Sequence, residues 1–454
     1  MDENRNQGIE DEFLSRTSNK KIISLVVGAL ISIFLVIALI AFALSFFTKS
    51  PSGKATLTYW GAWEDASVFE EVIGEFNKSH PDIIIKYEKQ DIKSLGNYIT
   101  RLSTRAENDT GPDLFRFHSS WITQLKPLLL PLPEDVVKSS EIDSKYYNAI
   151  KKDLKVNGAY YGIPIQFDTL SLFVNKKIFE NAGIKSYPKT WDELIKVARE
   201  LTVKNEEGKI QTSGVALGTA DNVAHATDIV SLLFLQNGAE IKDLNGKTKN
   251  NSVDAIDYYT SFANGDAKVW DEALDNSTLA FAKGNLAMYF GYSWDIFQIQ
   301  ALNPDLDFEV ITVPSLPDRD ITVASYWVEG VSSKSKHPKE AFEFLKFLTR
   351  KDNMEKIYAK QAKVRLFGEF YPRSDMGESL STNPLIEAFV KQSGSARSTI
   401  FSSDTYDDAM IASLNSYLLD AVRSINKDGT SPQSAIETLA QGVDQVYARY
   451  ESSK

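Results

Sequence analysis

The sequence contains no cysteine and only four histidines among its 454 residues. Without cysteine the chain can form no disulfide, no thiolate metal site and no lipid-modified N-terminal cysteine, so its stability must come from a packed core. The histidines, at positions 80, 118, 225 and 337, are far apart and lack metal-ligand spacing. Phosphate loops, dinucleotide fingerprints and nucleophile elbows are also missing. The sequence therefore gives poor support for an enzyme, a resident metal or a cofactor.

Positive charge is also in the minority. Lysine and arginine together number 50 against 61 aspartates and glutamates, which gives a formal net charge of −11. No basic stripe interrupts this acidic balance, so nucleic acid is excluded as the expected partner. The chain is too long for one compact core, and two or three domains are expected.

A single long apolar run is present, at residues 22–47, and it contains no charged side chain. About 20 apolar residues span a bilayer, so this run is long enough to cross with some tilt. Arg16, Lys20 and Lys21 precede it, which favours an N-terminus inside the cell. We therefore expect a cytoplasmic tail at 1–21, a transmembrane anchor at 22–47 and a tether at 48–55.

The alternative for this run is a cleaved signal peptide. Ala41 and Ala43 form an A-x-A pattern of the kind that precedes cleavage. The apolar run continues past them, however, and exceeds the usual length of a signal h-region. We therefore favour a single-pass protein of the cell membrane whose body, after residue 55, lies outside the cytoplasm.

The body alternates between strand and helix patterns, which is typical of α/β folds with parallel strands. It opens with a strand, a helix stopped by His80 and Pro81, and a second strand. Strands are predicted at 56–60, 83–87, 113–117, 163–167, 169–174, 286–290, 307–313 and 322–332. Helices are predicted at 64–79, 192–201, 227–235, 252–264, 277–283, 337–349, 407–425 and 434–450.

Residues 158–194 are the most informative stretch of the chain. They read as a turn, a short strand in which Pro164 favours a sheet edge, a second strand, and a helix capped by Thr190 with Glu193 closing a capping box. This order resembles the family 1 extracellular solute-binding proteins, the sugar-binding receptors of ABC importers, which include the maltose-binding protein. The residues that carry the resemblance are Gly158, Tyr161, Gly162, Pro164, Leu172, Asn175, Lys176, Phe179, Gly183, Ile184, Pro188, Thr190, Trp191, Asp192, Glu193 and Leu194.

Two later segments carry the same resemblance. The family's Phe-x-x-Gly-x-x-Ala-Met pattern is present at 281–288 and is followed by an aromatic turn at 291–294. Its Ala-x-x-Phe-x-x-Phe-Leu helix is present at 341–348. The resemblance implies a two-lobed, periplasmic-binding-protein-like α/β fold of type II, with lobe 1 at 56–165 and 312–363 and lobe 2 at 166–311 and 364–454.

The resemblance also implies a function. It indicates the substrate-binding protein of an ABC importer, which closes on a small solute, with a sugar or oligosaccharide expected, and presents it to the permease subunits. It implies no enzymatic activity and no cofactor. The alternative from another class is a membrane-tethered glycan-processing enzyme or a solute sensor without transport.

Aromatic side chains near strand ends are the main binding signal, because open α/β sheets bind ligands outside the carboxyl ends of their strands. Aromatic faces stack on sugar rings, and carboxylates bind hydroxyl groups. For Trp121, Tyr326, Trp327, His118 and Asp168 a structural role stays open, whereas Trp191, Trp270 and Arg373 are expected to be structural. The candidate ligand-binding residues are Trp60, Trp63, Asp65, His118, Trp121, Asp168, Tyr292, Trp294, Asp295, Tyr326 and Trp327; Asp113 and Glu329 are further candidate carboxylates.

Overall fold

The computed structural model of the protein describes residues 54–92, 97–265, 268–407 and 409–451. The predicted tail at 1–21, the predicted anchor at 22–47 and the tether as far as residue 53 lie outside these residues. Within the described ranges, no helix is both long and apolar enough to cross a membrane. Residues from 55 onwards form one compact unit.

Two five-stranded sheets organise this unit, and each has its own set of helices. The first sheet has the strand order Ile83–Lys89, Ala55–Gly61, Leu114–His118, Trp327–Val331, Ile163–Pro164. The second sheet has the order Phe308–Ile311, Ser171–Asn175, Leu286–Gly291, Ile210–Val215, Val203–Lys204. The predicted two-lobed α/β architecture is therefore confirmed.

The first sheet begins with the predicted strand-helix-strand unit. Ala55–Gly61 and Ile83–Lys89 are parallel, and the helix Ala66–Ser79 connects them. This helix buries Val68, Phe69, Val72 and Phe76 at helical spacing. It ends at His80, whose backbone N–H donates to the carbonyl of Phe76. The strand Trp327–Val331 enters the sheet antiparallel to Leu114–His118, which brings a distant part of the chain beside its beginning.

The stretch 158–194 crosses from the first sheet to the second. Ile163–Pro164 is the edge strand of the first sheet, as Pro164 predicts. Ser171–Asn175 is an inner strand of the second sheet. Thr190 Oγ1 accepts a hydrogen bond from Glu193 N and caps the helix Trp191–Leu201 as predicted, whereas Glu193 Oε2 accepts from the N–H of Lys189 rather than from Thr190 itself.

This capped helix packs closely on the second sheet. Trp191 is 3% exposed, its ring lies nearly parallel to that of Phe290, and its Nε1 donates to Gln236 Oε1, as expected of a structural residue. A Cβ added at Gly214 would lie 1.9 Å from the carbonyl oxygen of Ala198. Only glycine therefore permits this distance between helix and strand.

The described α-helices include several that the sequence pattern did not predict, among them Tyr98–Glu107, Ser293–Leu302 and Lys351–Val364. The remaining helices are Ala66–Ser79, Ile122–Leu125, Ser139–Lys145, Asn148–Leu154, Lys176–Asn181, Trp191–Leu201, Ala226–Asn237, Lys249–Ser261, Ser277–Ala282, Pro338–Leu348, Ser374–Gly377, Glu387–Gln392, Met410–Asp428 and Pro432–Glu451. Short strands also occur at Lys155–Val156 and Ala159–Tyr160.

The predicted strand at 322–332 is wrong in one respect that matters for the site. It is two strands, Ala324–Ser325 and Trp327–Val331, separated at Tyr326. The first of them pairs with Asp168–Thr169 between the two large sheets, and the second belongs to the first sheet. The strand pairing therefore changes at Tyr326, and Tyr326 and Trp327 both lie between the sheets.

Candidate functional site

A cavity of about 410 Å³ lies where residues of the first sheet, the second sheet and the segments between them meet. Trp63 follows the first strand of the first sheet, and Trp294 follows the strand Leu286–Gly291 of the second sheet. The cavity therefore lies at the carboxyl ends of strands from both sheets, where α/β proteins bind ligands. Its lining consists of Trp63, Gln166, Phe167, Asp168, Trp294, Phe297, Gln298, Ser325, Tyr326, Trp327, Arg365, Glu369, Asp404 and Tyr406.

The wall from the first sheet is aromatic. Trp63 and Trp327 meet edge to face, with ring centroids 4.9 Å apart. Trp121 and His118 contact Trp327 at 5.0 and 5.3 Å between centroids, and both are buried. Trp63 and Trp327 line the cavity, whereas Trp121 and His118 pack behind them. This packing restricts the orientation of the Trp327 ring.

A buried ion triad fixes the same wall. The guanidinium of Arg116 donates to Glu64 Oε1 at 2.5 Å and to Glu329 Oε1 at 2.6 Å, and all three side chains are almost completely buried. Burial would lower the pKa of Arg116, but the two carboxylates outweigh it and raise that pKa well above its usual value. Glu64 follows Trp63 and Glu329 lies two residues after Trp327, so Arg116 connects the two strand ends that carry the cavity tryptophans.

His118, on the same side, is a neutral group. Its Nε2 lies 3.1 Å from Ser325 Oγ and its Nδ1 lies 2.7 Å from Ser120 Oγ. Burial lowers the pKa of His118 to about 3. His118 therefore acts as an uncharged hydrogen-bonding support behind Trp327 and Ser325.

The wall from the second sheet is a stacked pair. Trp294 lies on Tyr292 with centroids 4.3 Å apart and ring planes 14° from parallel. Tyr292 is buried, and its hydroxyl donates to Asp228 Oδ1 at 2.8 Å. One face of Trp294 is therefore covered by protein, and the side chain also lines the cavity.

Asp295 supports this wall from behind. Its Oδ2 accepts hydrogen bonds from the backbone N–H of Tyr292 and from His225 Nε2, both at 2.8 Å. Burial alone would lower the pKa of His225, but the charges of Asp295, Asp404 and Asp228 and the bond to Asp295 raise it to about 10. His225 is therefore an imidazolium at neutral pH.

Asp168 joins the segment between the sheets to the second wall. Its Oδ2 accepts from the backbone N–H and the hydroxyl of Ser293, at 3.1 and 2.5 Å, and its Oδ1 accepts from Thr169 N at 2.7 Å. Burial raises the pKa of Asp168 well above its usual value, against the opposing effect of these hydrogen bonds. Asp168 thus holds the start of the helix Ser293–Leu302, which carries Trp294.

Tyr326 faces the cavity with its ring only. Its hydroxyl points to Asp153 and donates to Oδ2 at 2.6 Å. Burial raises the pKa of Asp153 to about 6, against the hydrogen bonds from Ser398 and Tyr326.

The predicted site residues fall into three groups in the structure. Five line the cavity: Trp63, Asp168, Trp294, Tyr326 and Trp327. Four support these from behind: His118, Trp121, Tyr292 and Asp295. The other two, Trp60 and Asp65, are not part of the cavity lining.

These last two assignments need correction. Side chains alternate between the two faces of a strand, and Trp60 lies on the face that packs against the helix Tyr98–Glu107. It is 2% exposed, contacts Arg101 and Tyr98 on the helix Tyr98–Glu107, and donates from Nε1 to Glu88. Asp65 points outward and forms an exposed ion pair with Lys89.

Of the other carboxylates, Asp113 and Glu329 bond within the first-sheet body. Asp113 accepts from Thr58 N and Ser335 Oγ, and Glu329 belongs to the ion triad. Arg373 pairs with Asp375 and Glu141, as expected for a structural turn.

The sequence interpretation missed the polar side chains that connecting segments bring to the cavity. Arg365 and Glu369 form an ion pair at 2.9 Å after the helix Lys351–Val364, and Asp404 and Tyr406 come from the loop of residues 402–407. No pattern marks these positions, because each belongs to irregular backbone. Across the described ranges, no group of histidine, aspartate and glutamate side chains could hold a metal ion.

Comparisons with known proteins agree with this architecture. The chain is 25% identical over 338 residues to the multiple sugar-binding protein of Streptococcus mutans serotype c, covering 68% of this chain and 75% of that protein. It is 26% identical over 283 residues to the diacetylchitobiose-binding protein DasA of Streptomyces coelicolor, covering 60% of this chain and 64% of that protein.

Solved structures show the same fold. A cyclo/maltodextrin-binding protein complexed with maltotetraose matches with a TM-score of 0.70 at 20% identity, covering 87% of this chain and 98% of that one. The sugar-binding protein MalE of Xanthomonas citri matches with a TM-score of 0.71 at 19% identity, with the same coverage.

The family comparison decides between the classes of function. The family model for bacterial extracellular solute-binding proteins matches residues 60–355, which is more than half of the chain. These proteins bind solutes, so an enzyme is not favoured. With its two sheets, its cavity between them and this match, the chain belongs to the bacterial extracellular solute-binding proteins.

Proposed function

We propose that this protein binds a sugar or oligosaccharide in the cavity between its two lobes and presents it to the permease of an ABC importer. The observation that carries the proposal is that Trp63 with Trp327, and Trp294 stacked on Tyr292, bring three indole rings to one cavity that polar side chains also line. Aromatic faces suit the apolar faces of sugar rings, and amide, hydroxyl and charged groups suit sugar hydroxyls. The sugar-binding names of the relatives support the same ligand class.

In this proposal Trp63, Trp294 and Trp327 contact the solute directly, as do Tyr326 and the polar groups of the cavity. Asp168 is one of these polar groups, and His118, Trp121, Tyr292 and Asp295 orient the contacts from behind. The lobes at 56–165 with 312–363, and at 166–311 with 364–454, close by hinge motion about the segments between the sheets. Closure is favoured by the difference in the ligand's affinity for the closed and open states.

Paired backbone between the two sheets supports the hinge. Asp168–Thr169 pairs with Ala324–Ser325, and Phe167 pairs with Phe370. Gln236 of lobe 2 donates hydrogen bonds to the carbonyl groups of residues 314 and 321, which the predicted boundary at 311/312 assigns to lobe 1. This boundary therefore stays a prediction.

The binding proposal is tested by titrating the full chain, in detergent, with neutral mono- to tetrasaccharides. Calorimetry should give one ligand per chain, and tryptophan fluorescence should change and saturate at the same ratio. Trp63→Ala should weaken binding at least tenfold, whereas Trp270→Phe, a fully buried position away from the cavity, should not. If no carbohydrate in the panel binds, the sugar assignment is wrong.

We further propose that residues 22–47 anchor the protein in the cell membrane with residues 1–21 inside. Anchoring would raise the effective concentration of the binding protein at its transporter. External protease added to intact cells should remove the body beyond residue 55 and leave the first twenty residues protected. A body released into solution with an N-terminus near residue 44 would instead identify a signal peptide.

A further inference from the structure

The loop of residues 402–407, hereafter loop 402–407, contributes Asp404 and Tyr406 to the cavity lining. Both residues have left-handed backbone conformations, with φ of 51° and 55°. Residues other than glycine seldom adopt this conformation, and it persists only where the surroundings hold it. Loop 402–407 is therefore held in a strained shape at the position where it faces the solute.

The contacts that hold this loop come from both sides of the cavity. Nδ1 of His225 lies 2.7 Å from Ser403 Oγ, and the N–H of Ser403 donates to Asp228 Oδ2 at 2.9 Å. Gln124, on the first-sheet side, donates from Nε2 to Asp407 Oδ2 at 2.7 Å. His225 itself has a left-handed φ of 56° and donates from Nε2 to Asp295. Loop 402–407 is thus fixed near each end, and His225 joins it to the wall that carries Trp294.

The charges around His225 are unequal. The carboxylates of Asp295, Asp228 and Asp404 act on the imidazolium, and the neutral rings of Tyr289 and Tyr292 pack against it. Among these four groups, one positive charge faces three negative charges. Asp404 is the member that lines the cavity, with its side chain 46% exposed and its Oδ2 3.5 Å from His225 Nδ1.

The other charged groups of the cavity do not reverse this sign. Glu369 is paired with Arg365 at 2.9 Å. Asp168 is buried and its oxygens accept three hydrogen bonds from the protein. A solute that enters the cavity therefore meets the carboxylate of Asp404.

We propose that Asp404 is a specificity-determining residue that restricts the cavity to solutes without negative charge, and that His225 is the residue that positions it. Neutral and amine-bearing sugars are accepted, whereas uronates and sugar phosphates are rejected, because an anion placed beside Asp404 is repelled in a partly desolvated site. This inference rests on the proposed sugar-binding function and adds the charge class of the ligand.

The test compares matched sugars by calorimetry with the full chain in detergent. The probes are maltose, cellobiose, sucrose and trehalose, each beside its 6-phosphate. For each neutral sugar that binds, the wild-type protein should bind the phosphate at least tenfold more weakly. Asp404→Asn should reduce this discrimination at least tenfold while keeping the shape of the side chain. Glu207→Gln, an exposed change of the same charge, is the control and should leave the discrimination unchanged.

The role of His225 is tested by the same ratio. His225→Gln should weaken binding of the neutral sugar and also reduce the discrimination, because Asp404 is no longer held in place. Gly214→Ala, a destabilising change in the same lobe but away from the cavity, should lower the melting temperature without changing the ratio. An unchanged ratio in His225→Gln would refute the positioning role.

The outcomes separate this inference from the proposed function. If the sugars bind but their phosphates bind equally well, or if Asp404→Asn leaves the discrimination as it was, the inference is wrong and the sugar-binding function stands. If neither the neutral sugars nor their phosphates bind, the proposed function fails and the inference fails with it.

Discussion

Truncation of two tryptophans of lobe 2 should have opposite effects on affinity and stability. Trp294 lines the cavity and stacks on Tyr292, whereas Trp191 is buried under its helix and bonds to Gln236. Trp294→Ala removes a ring that lines the cavity and that contacts the solute in the proposed function. Trp191→Ala removes a ring that is packed inside the protein and does not line the cavity.

The magnitude for Trp294→Ala follows from stacking and burial. An aromatic pair contributes about 0.5–1.5 kcal/mol beyond its buried area, and a central aromatic contact in a binding site contributes about 2 kcal/mol or more. A loss of about 2 kcal/mol weakens binding roughly thirtyfold. The free energy of unfolding should fall much less, because one face of the ring adjoins the cavity.

The magnitude for Trp191→Ala follows from the cavity it creates. Truncation of a buried tryptophan destabilises a protein by about 3–5 kcal/mol, and the bond to Gln236 is lost as well. Because total stability is typically about 5–15 kcal/mol, the melting temperature should fall sharply. Affinity measured well below that temperature should change less than threefold, a limit we set at roughly 0.6 kcal/mol.

Calorimetric titration and thermal unfolding of the two variants check this pair. The control for unfolding is the wild-type protein without ligand, because a bound ligand raises apparent stability. If Trp191→Ala abolished binding while Trp294→Ala only lowered the melting temperature, our division of the tryptophans would be refuted.

Three further predictions concern the scaffold of the site. Arg116→Leu should destabilise the protein by about 3–5 kcal/mol in urea unfolding, because two glutamates stay buried without a partner, whereas Arg423→Ala at a partly exposed pair should change it by about 0–1 kcal/mol. His118→Gln should lessen the loss of unfolding free energy between pH 6.5 and 4.5. The unfolded wild-type chain protonates this histidine below pH 6.5, whereas the folded chain resists protonation until about pH 3. This difference lowers the unfolding free energy of the wild type by up to roughly 1.4 kcal/mol per pH unit. Gly214→Ala should lower stability by about 1–3 kcal/mol through its clash with the Ala198 carbonyl, measured by the same unfolding curves. The first argument would be contradicted by equal effects of the two arginine changes. The second would be contradicted if His118→Gln left the pH dependence of unfolding unaltered, and the third if Gly214→Ala stabilised the protein.

Regular periodicity made much of the fold predictable. The helix Ala66–Ser79 repeats its apolar residues at helical spacing, and the flanking strands follow the parallel order that a strand-helix-strand unit requires. Helices without a clear stripe were missed. Ser293–Leu302 has apolar residues on all sides, so periodicity alone does not distinguish it from a turn and a strand.

Part of the candidate site was predictable from aromatic residues at strand ends. Trp63 and Trp294 follow such ends, and both line the cavity. Trp60 also lies at a strand end, but the alternation of side chains along its strand turned it to the helix Tyr98–Glu107. Whether a strand-end residue faces the ligand thus depends on a single step of register.

The sequence by itself determined the solute-binding family and the α/β class, because these depend on local patterns of neighbouring residues. The tertiary structure decided which charges surround the solute. Arg116 meets Glu329 across 213 residues of sequence, and His225 meets Ser403 across 178. Asp404 reaches the cavity only because folding brings these distant partners together and holds its loop in a conformation that the local sequence does not favour.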